Sequence, residues 1–504
     1  MIVWSWMLSL LALTPLSVAE DGEDILCLKD GRIYEQLTLE RVDGGVRAKF
    51  ENGNVFVPSR LILESIVSGD TEFSPETEEE KEMVEKGLVL YEGEWMRPNK
   101  RDRLLSKRLE ERKEAIEAMK EHSLWRNRYK ENTSHFRWEY TIPEHIFESY
   151  RDLMEAYFVD FAKKWKIQTN AAPLVVCFYG DREAFHQIGG VGGGIIGYFR
   201  YVEPWELNIF YDRTDPELTQ GVMFHEANHY LQKLIDVRFK YPHFPGESLA
   251  EYYGASTYDP KKKKFESGLI QEGRLIEIQT DIAGGEMMSL EKLVSTDRMY
   301  EHYTWGWALA HFLMSDRKHE KAFTNFFLGL AHDKALKDRV PHGAGLHTVE
   351  QDKVWEYFRA KMGLRDDDDV KELEEEWHGY IQEKLQLVSS AGYEKAAFAA
   401  ASTYPARPIK AKRLFQEAIE KGSQNPLTFH RYAELLYDER ESLDEALKLW
   451  DQAIALDPLN ATFYAAKGKA LARKGMKEEG KKLVALAKEL DPEFFQIDLS
   501  SLFD

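Results

Sequence analysis

The sequence predicts an α+β fold in three parts: a small β module first, a large mixed domain in the middle, and an all-α array of helix pairs last. Three observations predict it. Apolar and polar residues alternate around glycine turns early in the chain, strand and helix periodicities mix between residues 123 and 387, and a helical pattern then recurs about every 34 residues. The 504 residues suffice for about three domains. At 43% hydrophobic and 31% charged, the composition supports packed cores and excludes a disordered chain. With 67 Lys+Arg against 87 Asp+Glu the net charge is -20, which repels phosphate and argues against a nucleic-acid or anionic-membrane partner.

Residues 1–19 read as a signal peptide. Ile2 to Ala19 is apolar and uncharged, and Ser17, Val18 and Ala19 suit cleavage before Glu20. The protein is therefore expected to be exported, periplasmic or extracellular, or N-terminally anchored if the segment is retained. No later segment is apolar enough to span a membrane. The two cysteines, Cys27 and Cys177, cannot build a disulfide framework or a thiolate zinc finger, and nothing in the sequence says whether they pair.

Residues 20–70 form the β module, with Leu37, Leu39, Val42 and Val46 among polar residues and turns at Asp43–Gly45 and Asn52–Gly53. Residues 71–122, rich in Glu, Lys and Arg, read as a solvated helical connector broken around Tyr91–Trp95. In the 123–387 domain a strand is expected at Phe136–Thr141, a long amphipathic helix from Pro143 to about Trp165, and strands at Pro173–Tyr179 and Glu206–Tyr211. The glycine-rich run Gly189–Gly197 formally fits G-x-G-x-x-G, but no helix follows it, so it reads as a loop rather than a nucleotide cradle. The Glu206–Tyr211 strand is expected to be a sheet edge able to pair with an extended peptide. Residues 493–504 are a tail.

Between residues 391 and 492 the triplets Ala411/Phe415/Ala418, Ala446/Trp450/Ala453 and Gly480/Val484/Ala487 repeat, the last two followed by Asp-Pro. Small residues around a large one let two helices approach closely. This resembles the tetratricopeptide repeat, which implies a stacked scaffold and a protein partner for it.

The chemistry lies in His225, Glu226, Ala227, Asn228 and His229, an H-E-x-x-H motif. Only a helix puts positions i and i+4 on one face, and Asp215, Pro216 and Glu217 supply its cap, first residue and dipole partner. His225 and His229 then offer two imidazoles to one metal, and Glu226 can reach a water beside it. Glu247, after Pro242 and the breaker pair Pro245–Gly246, is the candidate third ligand, leaving a fourth position open for water. Glu251, one turn on, can accept the free N–H of a ligating imidazole. H-E-x-x-H followed at this distance by Glu-x-x-Ala-Glu-Tyr resembles the gluzincin metallopeptidases, including the secreted bacterial peptidase-like domains of that clan. The resemblance implies a zincin-like domain with Zn²⁺ on His225, His229 and Glu247, Glu226 as general base, and a peptide or protein substrate. By similarity to aminopeptidase N-type enzymes, Tyr303, three residues before Gly306, implies an oxyanion donor, with His302 and His311 as competitors. The Gly-x-Met-Glu-Asn segment of those enzymes is absent, so exopeptidase activity does not carry over.

Other features read as structural. Lys261–Lys264 is a solvated turn, Asp366–Asp369 lacks the spacing of a calcium loop, His342 and His347 sit in a glycine-rich loop, and Cys177 lies within an apolar strand. The expectation is a zinc-dependent peptide hydrolase. The alternatives are an exported scaffold with an inactive zincin-like domain, or a zinc hydrolase of other amides or esters.

Overall fold

The computed structural model describes residues 23–67, 75, 77–91, 93–167, 173–336, 339–402, 407–437 and 442–491. The signal segment and the C-terminal tail lie outside the described residues. The chain divides into two compact units, one from His122 to Val388 and the other made of the described residues before and after it.

Strands β1 (Asp24–Leu28), β2 (Ile33–Val42), β3 (Gly45–Phe50), β4 (Gly53–Pro58) and β5 (Ile62–Ile66) form an antiparallel sheet in the order β4-β3-β2-β1-β5. The β2–β3 turn needs Gly44, whose φ is +76°. Helix α1 (Glu78–Glu85), the hairpin β6 (Val89–Tyr91)–β7 (Glu94–Met96) and helix α2 (Pro98–His122) follow. The 71–122 stretch is more than a solvated connector. Leu105, Leu109 and Ile116 of α2 recur at helical spacing and bury against Ile25, Cys27 and Ile66 of the sheet.

The central unit is built on a second five-stranded sheet: β8 (Tyr129–Asn132), β9 (Phe136–Tyr140), β10 (Leu174–Tyr179), β11 (Gly197–Arg200) and β12 (Glu206–Phe210), ordered β11-β12-β10-β9-β8. The middle strand β10 runs parallel to both β9 and β12. Its apolar run follows from burial on both faces. Leu174, Val176 and Phe178 join the main core, while Cys177 and Tyr179 pack with Phe185 of α4 (Arg182–Gly189). Helix α3 (Glu144–Trp165) starts just after Pro143 and lays Phe147, Tyr150, Met154, Tyr157, Phe161 and Trp165 into the main core. One expectation fails here. The Glu206–Phe210 strand is not an edge, because β11 pairs antiparallel along its outer side and takes the edge itself.

Helices α5 (Pro216–Lys233) and α6 (His243–Gly254), the hairpin β13 (Thr257–Asp259)–β14 (Lys264–Glu266), and helices α7 (Glu272–Ala283), α8 (Leu290–Ser295) and α9 (Met299–Glu301) come next. A π-helical turn at His302–Gly306 leads into α10 (Trp307–Ser315) and α11 (Arg317–His332). The hairpin β15 (Arg339–His342)–β16 (Leu346–Val349), α12 (Gln351–Met362) and α13 (Asp367–Lys384) close the unit.

Six helices end the described chain: α14 (Ser390–Ser402), α15 (Pro408–Glu420), α16 (Pro426–Tyr437), α17 (Leu443–Leu456), α18 (Ala461–Arg473) and α19 (Lys477–Leu490). They form the pairs α14–α15, α16–α17 and α18–α19. The three sequence triplets lie on α15, α17 and α19 and are buried. At Gly468 the backbone of α19 comes so close that an added Cβ would lie 2.8 Å from the Gly480 carbonyl oxygen and 2.9 Å from Val484 Cγ2.

The β module and the last repeat share one core, in which Leu26, Leu39, Val55 and Val57 pack with Tyr464, Leu486 and Leu490. The Glu489 carboxylate accepts the backbone N–H groups of Glu51 and Asn52 at 2.8 and 3.0 Å, and Arg32 pairs with Asp457 at 2.7 Å. The sheet thus covers the apolar end of the helix stack, which terminal repeats otherwise expose.

Replacing Gly468 with Leu is expected to lower the stability of this unit by about 1–3 kcal/mol through overpacking, read as a shift in urea midpoint. Gly379→Ala on α13, where an added Cβ meets nothing within 4 Å, should be neutral or mildly stabilising for the His122–Val388 unit, read from the urea midpoint of that unit.

Candidate metal centre

Helix α5 begins as its sequence dictates. The Asp215 side chain accepts from Leu218 N–H at 2.9 Å, Pro216 occupies the first turn, and Glu217 faces the positive end of the dipole. Met223, Phe224, Ala227, Tyr230 and Leu231 bury one face in the core. That leaves His225, Glu226 and His229 along a cavity of about 210 Å³. Helix α6 starts earlier than the breakers at Pro245–Gly246 suggest. Pro245 and Gly246 lie in its first turn, where a proline costs no hydrogen bond because those N–H groups lack helical acceptors anyway.

Two close approaches clamp α6 to α5. A Cβ at Gly221 would lie 3.3 Å from the Gly254 carbonyl oxygen. At the other end Gln232 Nε2 donates to the Gly246 carbonyl at 2.8 Å and to Asn228 Oδ1 at 2.6 Å, while Asn228 Nδ2 donates to the Tyr157 hydroxyl at 2.6 Å. The clamp presents Glu247 to the two histidines. Glu247 Oε2 is 3.3 Å from His225 Nε2 and 3.3 Å from His229 Nε2, and the three atoms lie within 4.8 Å of one another. A tetrahedral ion with bonds of about 2.0–2.1 Å holds its donors about 3.3 Å apart. Glu247 Oε2 makes no hydrogen bond although it is buried. Three lone pairs facing one point, one of them on an otherwise unsatisfied buried carboxylate, form a donor set that could hold a divalent cation.

Electrostatics couple the rings to the acids: burial disfavours charge on His225, but Glu247, Glu251 and Glu226 outweigh it and hold the ring well above its ordinary pKa, so a bound cation would displace that proton. Burial disfavours charge on Glu247, but the neighbouring His229 and His225 outweigh it and hold the carboxyl well below the ordinary range. Burial opposes ionisation of Glu251 too, yet His225 and Arg274 keep it low. Both carboxylates are therefore in the deprotonated form that ligation and imidazole orientation require. Glu251 Oε1 lies 3.3 Å from His225 Nδ1, and Arg274 of α7 grips Glu251 through Nη2 at 2.7 Å and Nε at 3.0 Å.

The same guanidinium lies 5.2 Å from the Tyr303 ring, and Tyr303 meets the His225 ring edge-on at 5.7 Å. Tyr303 reaches the cavity because its turn packs tightly on α6. A Cβ at Gly306 would lie 2.2 Å from Ser248 Oγ, so any larger residue would force that hydroxyl to move. Thr304 bonds Glu277, and Trp305 Nε1 donates to Asp281 at 2.9 Å, tying the turn to α7. The rival histidines lie elsewhere. His302 is buried against the Leu293 carbonyl at 3.1 Å, and His311 Nδ1 bonds the Tyr380 hydroxyl at 2.9 Å. Neither is among the residues that line the cavity.

Glu226 is anchored by edge strand β11, whose Phe199 N–H donates to Glu226 Oε2 at 3.0 Å. Gly197 makes this possible, since a Cβ there would lie 2.5 Å from Val222 Cγ1 of α5. The end of the glycine-rich run is therefore the start of a strand pressed against the motif helix. Tyr201, Lys240, His243 and Arg274 also belong to the site region, and sequence reasoning misses all four. No motif marks them. Only the succession of charged and aromatic residues around the breakers at 240–243 hints at two.

The remaining features stay structural. Lys261–Lys263 form the β13–β14 turn, Asp366 caps α13 by accepting from Asp369 N–H at 3.0 Å, and His342 and His347 sit on the β15–β16 hairpin. Both cysteines are free and buried, and burial pushes the Cys27 thiol up to about 11 and Cys177 up to about 12, far from nucleophilic use.

A family model described as TPR repeat matches residues 435–475, from the end of α16 to just past α18. A comparison with curated proteins returns no match. The chain is thus a mixed α+β protein whose C-terminal helical region contains a TPR repeat. No helix among the described residues is long and apolar enough to cross a membrane.

Burial lowers the pKa of His302 from 6.5 to about 4, so its neutral ring is the form the fold accepts. Between those values the unfolded chain binds more protons than the folded one. Stability should therefore fall as pH drops from about 6.5 toward 4, by up to about 1.4 kcal/mol per pH unit from this group. His302→Gln should flatten that slope in urea titrations at successive pH values. An unchanged slope would assign the pH dependence to other groups.

Proposed function

We propose that the His122–Val388 unit is a zinc-dependent hydrolase of the gluzincin type that cleaves peptide bonds. The observation that carries this is the convergence of His225 Nε2, His229 Nε2 and Glu247 Oε2 at the spacing of a tetrahedral site, with Glu226 and Tyr303 on the same cavity. When bound there, Zn²⁺ supplies Lewis acidity, acidifying a water and polarising a carbonyl. Glu226, held through Oε2 by the Phe199 amide, takes a proton from the attacking water and passes it to the leaving amine nitrogen. Burial and the carboxylates of Glu247, Glu226 and Glu251 push the Tyr303 hydroxyl above its ordinary value. It therefore stays protonated and donates to the carbonyl oxygen as negative charge develops there. Glu251, gripped by Arg274, fixes the ring of His225. The outward side of β11 gives an extended peptide a backbone to pair with, the role first expected of the Glu206 strand.

A second reading draws on the matched TPR repeat: an exported scaffold whose stacked helices bind a protein partner, with the catalytic residues idle. A third keeps the zinc chemistry but directs it at other amides or esters. Export itself is proposed from the N-terminal segment alone.

Metal analysis and peptide-library hydrolysis separate these readings. The purified chain should carry one zinc, and His225→Ala should carry none. Glu226→Gln should keep zinc and lose about 10²–10⁴ in turnover. Tyr303→Phe should keep zinc and lower kcat by about 10²–10³. A zinc-free, inert wild type would leave the scaffold reading.

Glu251→Gln is expected to weaken zinc binding by about 10–100-fold in competition with a chromophoric chelator. Unaltered affinity would remove Glu251 from any part in holding the ligand shell.

A further inference from the structure

Lys240 lies between α5 and α6, on the wall of the same cavity. Its ammonium stands 5.2 Å from the centre of the Tyr201 ring and 3.3 Å from His342 Nε2. Tyr201 in turn meets the His229 ring at 6.0 Å. One aromatic side chain therefore separates this cation from the candidate metal centre.

The chain has a net charge of -20, so acids outnumber bases. Yet among the described residues Lys240 has no carboxylate at ion-pair distance, and Glu247 acts on it only through its longer-range charge. The acids of the cavity are committed elsewhere. Glu226 accepts the Phe199 amide, and Glu247 faces the two histidines. Burial lowers the Lys240 pKa below its ordinary value, a penalty that a bound anion would offset. An ammonium partly withdrawn from water, backed by a π face and an imidazole, binds a carboxylate through a charge-assisted hydrogen bond.

Resting on the hydrolase reading above, we infer that Lys240 is a substrate subsite that binds a carboxylate of the peptide, either an acidic side chain or the chain-terminal group. The carboxylate docks on Lys240, and the substrate backbone passes Tyr201 toward Glu226 and Tyr303. Peptides with a carboxylate near the cleaved bond are then the preferred class. The long-range field of an acidic protein disfavours such substrates, and Arg274 is already held by Glu251, so the Lys240 ammonium sets the choice.

The test uses the full chain loaded with zinc and carrying Glu226→Gln, so that peptides bind without being cut. The probes are N-acetylated peptides of one sequence in three forms: glutamine with an amidated end, glutamate with an amidated end, and glutamine with a free C-terminal carboxylate. Calorimetry gives each affinity with Lys240 intact, with Lys240→Gln and with Lys240→Arg. Direct coordination of a carboxylate to zinc is common to all three backgrounds, so the acid-over-amide ratio isolates Lys240.

The expected result is a preference of tenfold or more for one acidic form, lost in Lys240→Gln and largely restored in Lys240→Arg. Whichever acidic form wins identifies the source of the carboxylate. An equal preference in Lys240→Gln, or acidic peptides that bind no better than the amide to the Lys240 form, would overturn the inference. Hydrolysis by the chain with Glu226 intact is measured separately. A Lys240-dependent preference without any hydrolysis would sink the hydrolase reading and leave the subsite standing.

Discussion

The closeness of α5 and α6 is the constraint on which the candidate site depends. Gly221 and Gly254 allow the backbones to touch at one end, and the Gln232–Gly246 hydrogen bond fixes the other. Two helices held at both ends have one register, and that register sets a carboxylate oxygen 3.3 Å from two imidazole nitrogens. A looser crossing would let Glu247 turn to solvent, where a carboxylate is better hydrated. Confining it beside the histidines costs desolvation, as its unsatisfied buried oxygen attests. A fold tolerates such a group where another interaction compensates, and a cation at the shared focus would be that interaction.

The sequence made the helical part of this legible and the tertiary part opaque. The cap at Asp215, Pro216 in the first turn and the four-residue spacing of His225 and His229 are local facts, so α5 and its polar face follow from short-range rules. Glu247 and Glu251 are candidates by their chemistry and their place after the motif, which the family resemblance reinforces, but the clamp that places them involves Gly221 and Gly246, whose meaning appears only when the partner helix is in view. The edge of the sheet is hidden from the sequence for the same kind of reason. Edge status belongs to a pairing, and the four residues of β11 that cover β12 were hidden behind a glycine run. Arg274 and Lys240 carry no motif. Long-range contact alone brings them in.

The unit built from the two ends of the chain shows the same division between local and long-range structure. Helical repeats every thirty-odd residues could be read from small residues around Phe415, Trp450 and Val484, because each hairpin is a local structure. That the β module covers the end of the stack could not. The contacting residues, such as Leu39 and Leu486, are separated by nearly the whole chain. Each half shows the apolar periodicity of its own element, and neither shows which surface the other will bury. The polar contacts point the same way: Glu489 looks like any exposed helix glutamate until the N–H groups of Glu51 and Asn52 are found on it.

Arg274 shows how tightly the parts of the site are coupled. Its donors hold both oxygens of Glu251, which faces His225 Nδ1, and its guanidinium carbon lies over the Tyr303 ring, 5.2 Å from the ring centre. A guanidinium can serve both at once because its hydrogen bonds lie in the plane and its stacking surface lies across it. A lysine would supply a charge but neither the fork nor the face. The ring of a candidate ligand and the candidate oxyanion donor thus rest on one side chain, although they come from α5 and from the π-helical turn. Disturbing Arg274 would move both together, so on the proposed hydrolase reading metal affinity and turnover would change in step. Separating the two roles requires substitutions further out, at Glu251 on one branch and at Tyr303 on the other.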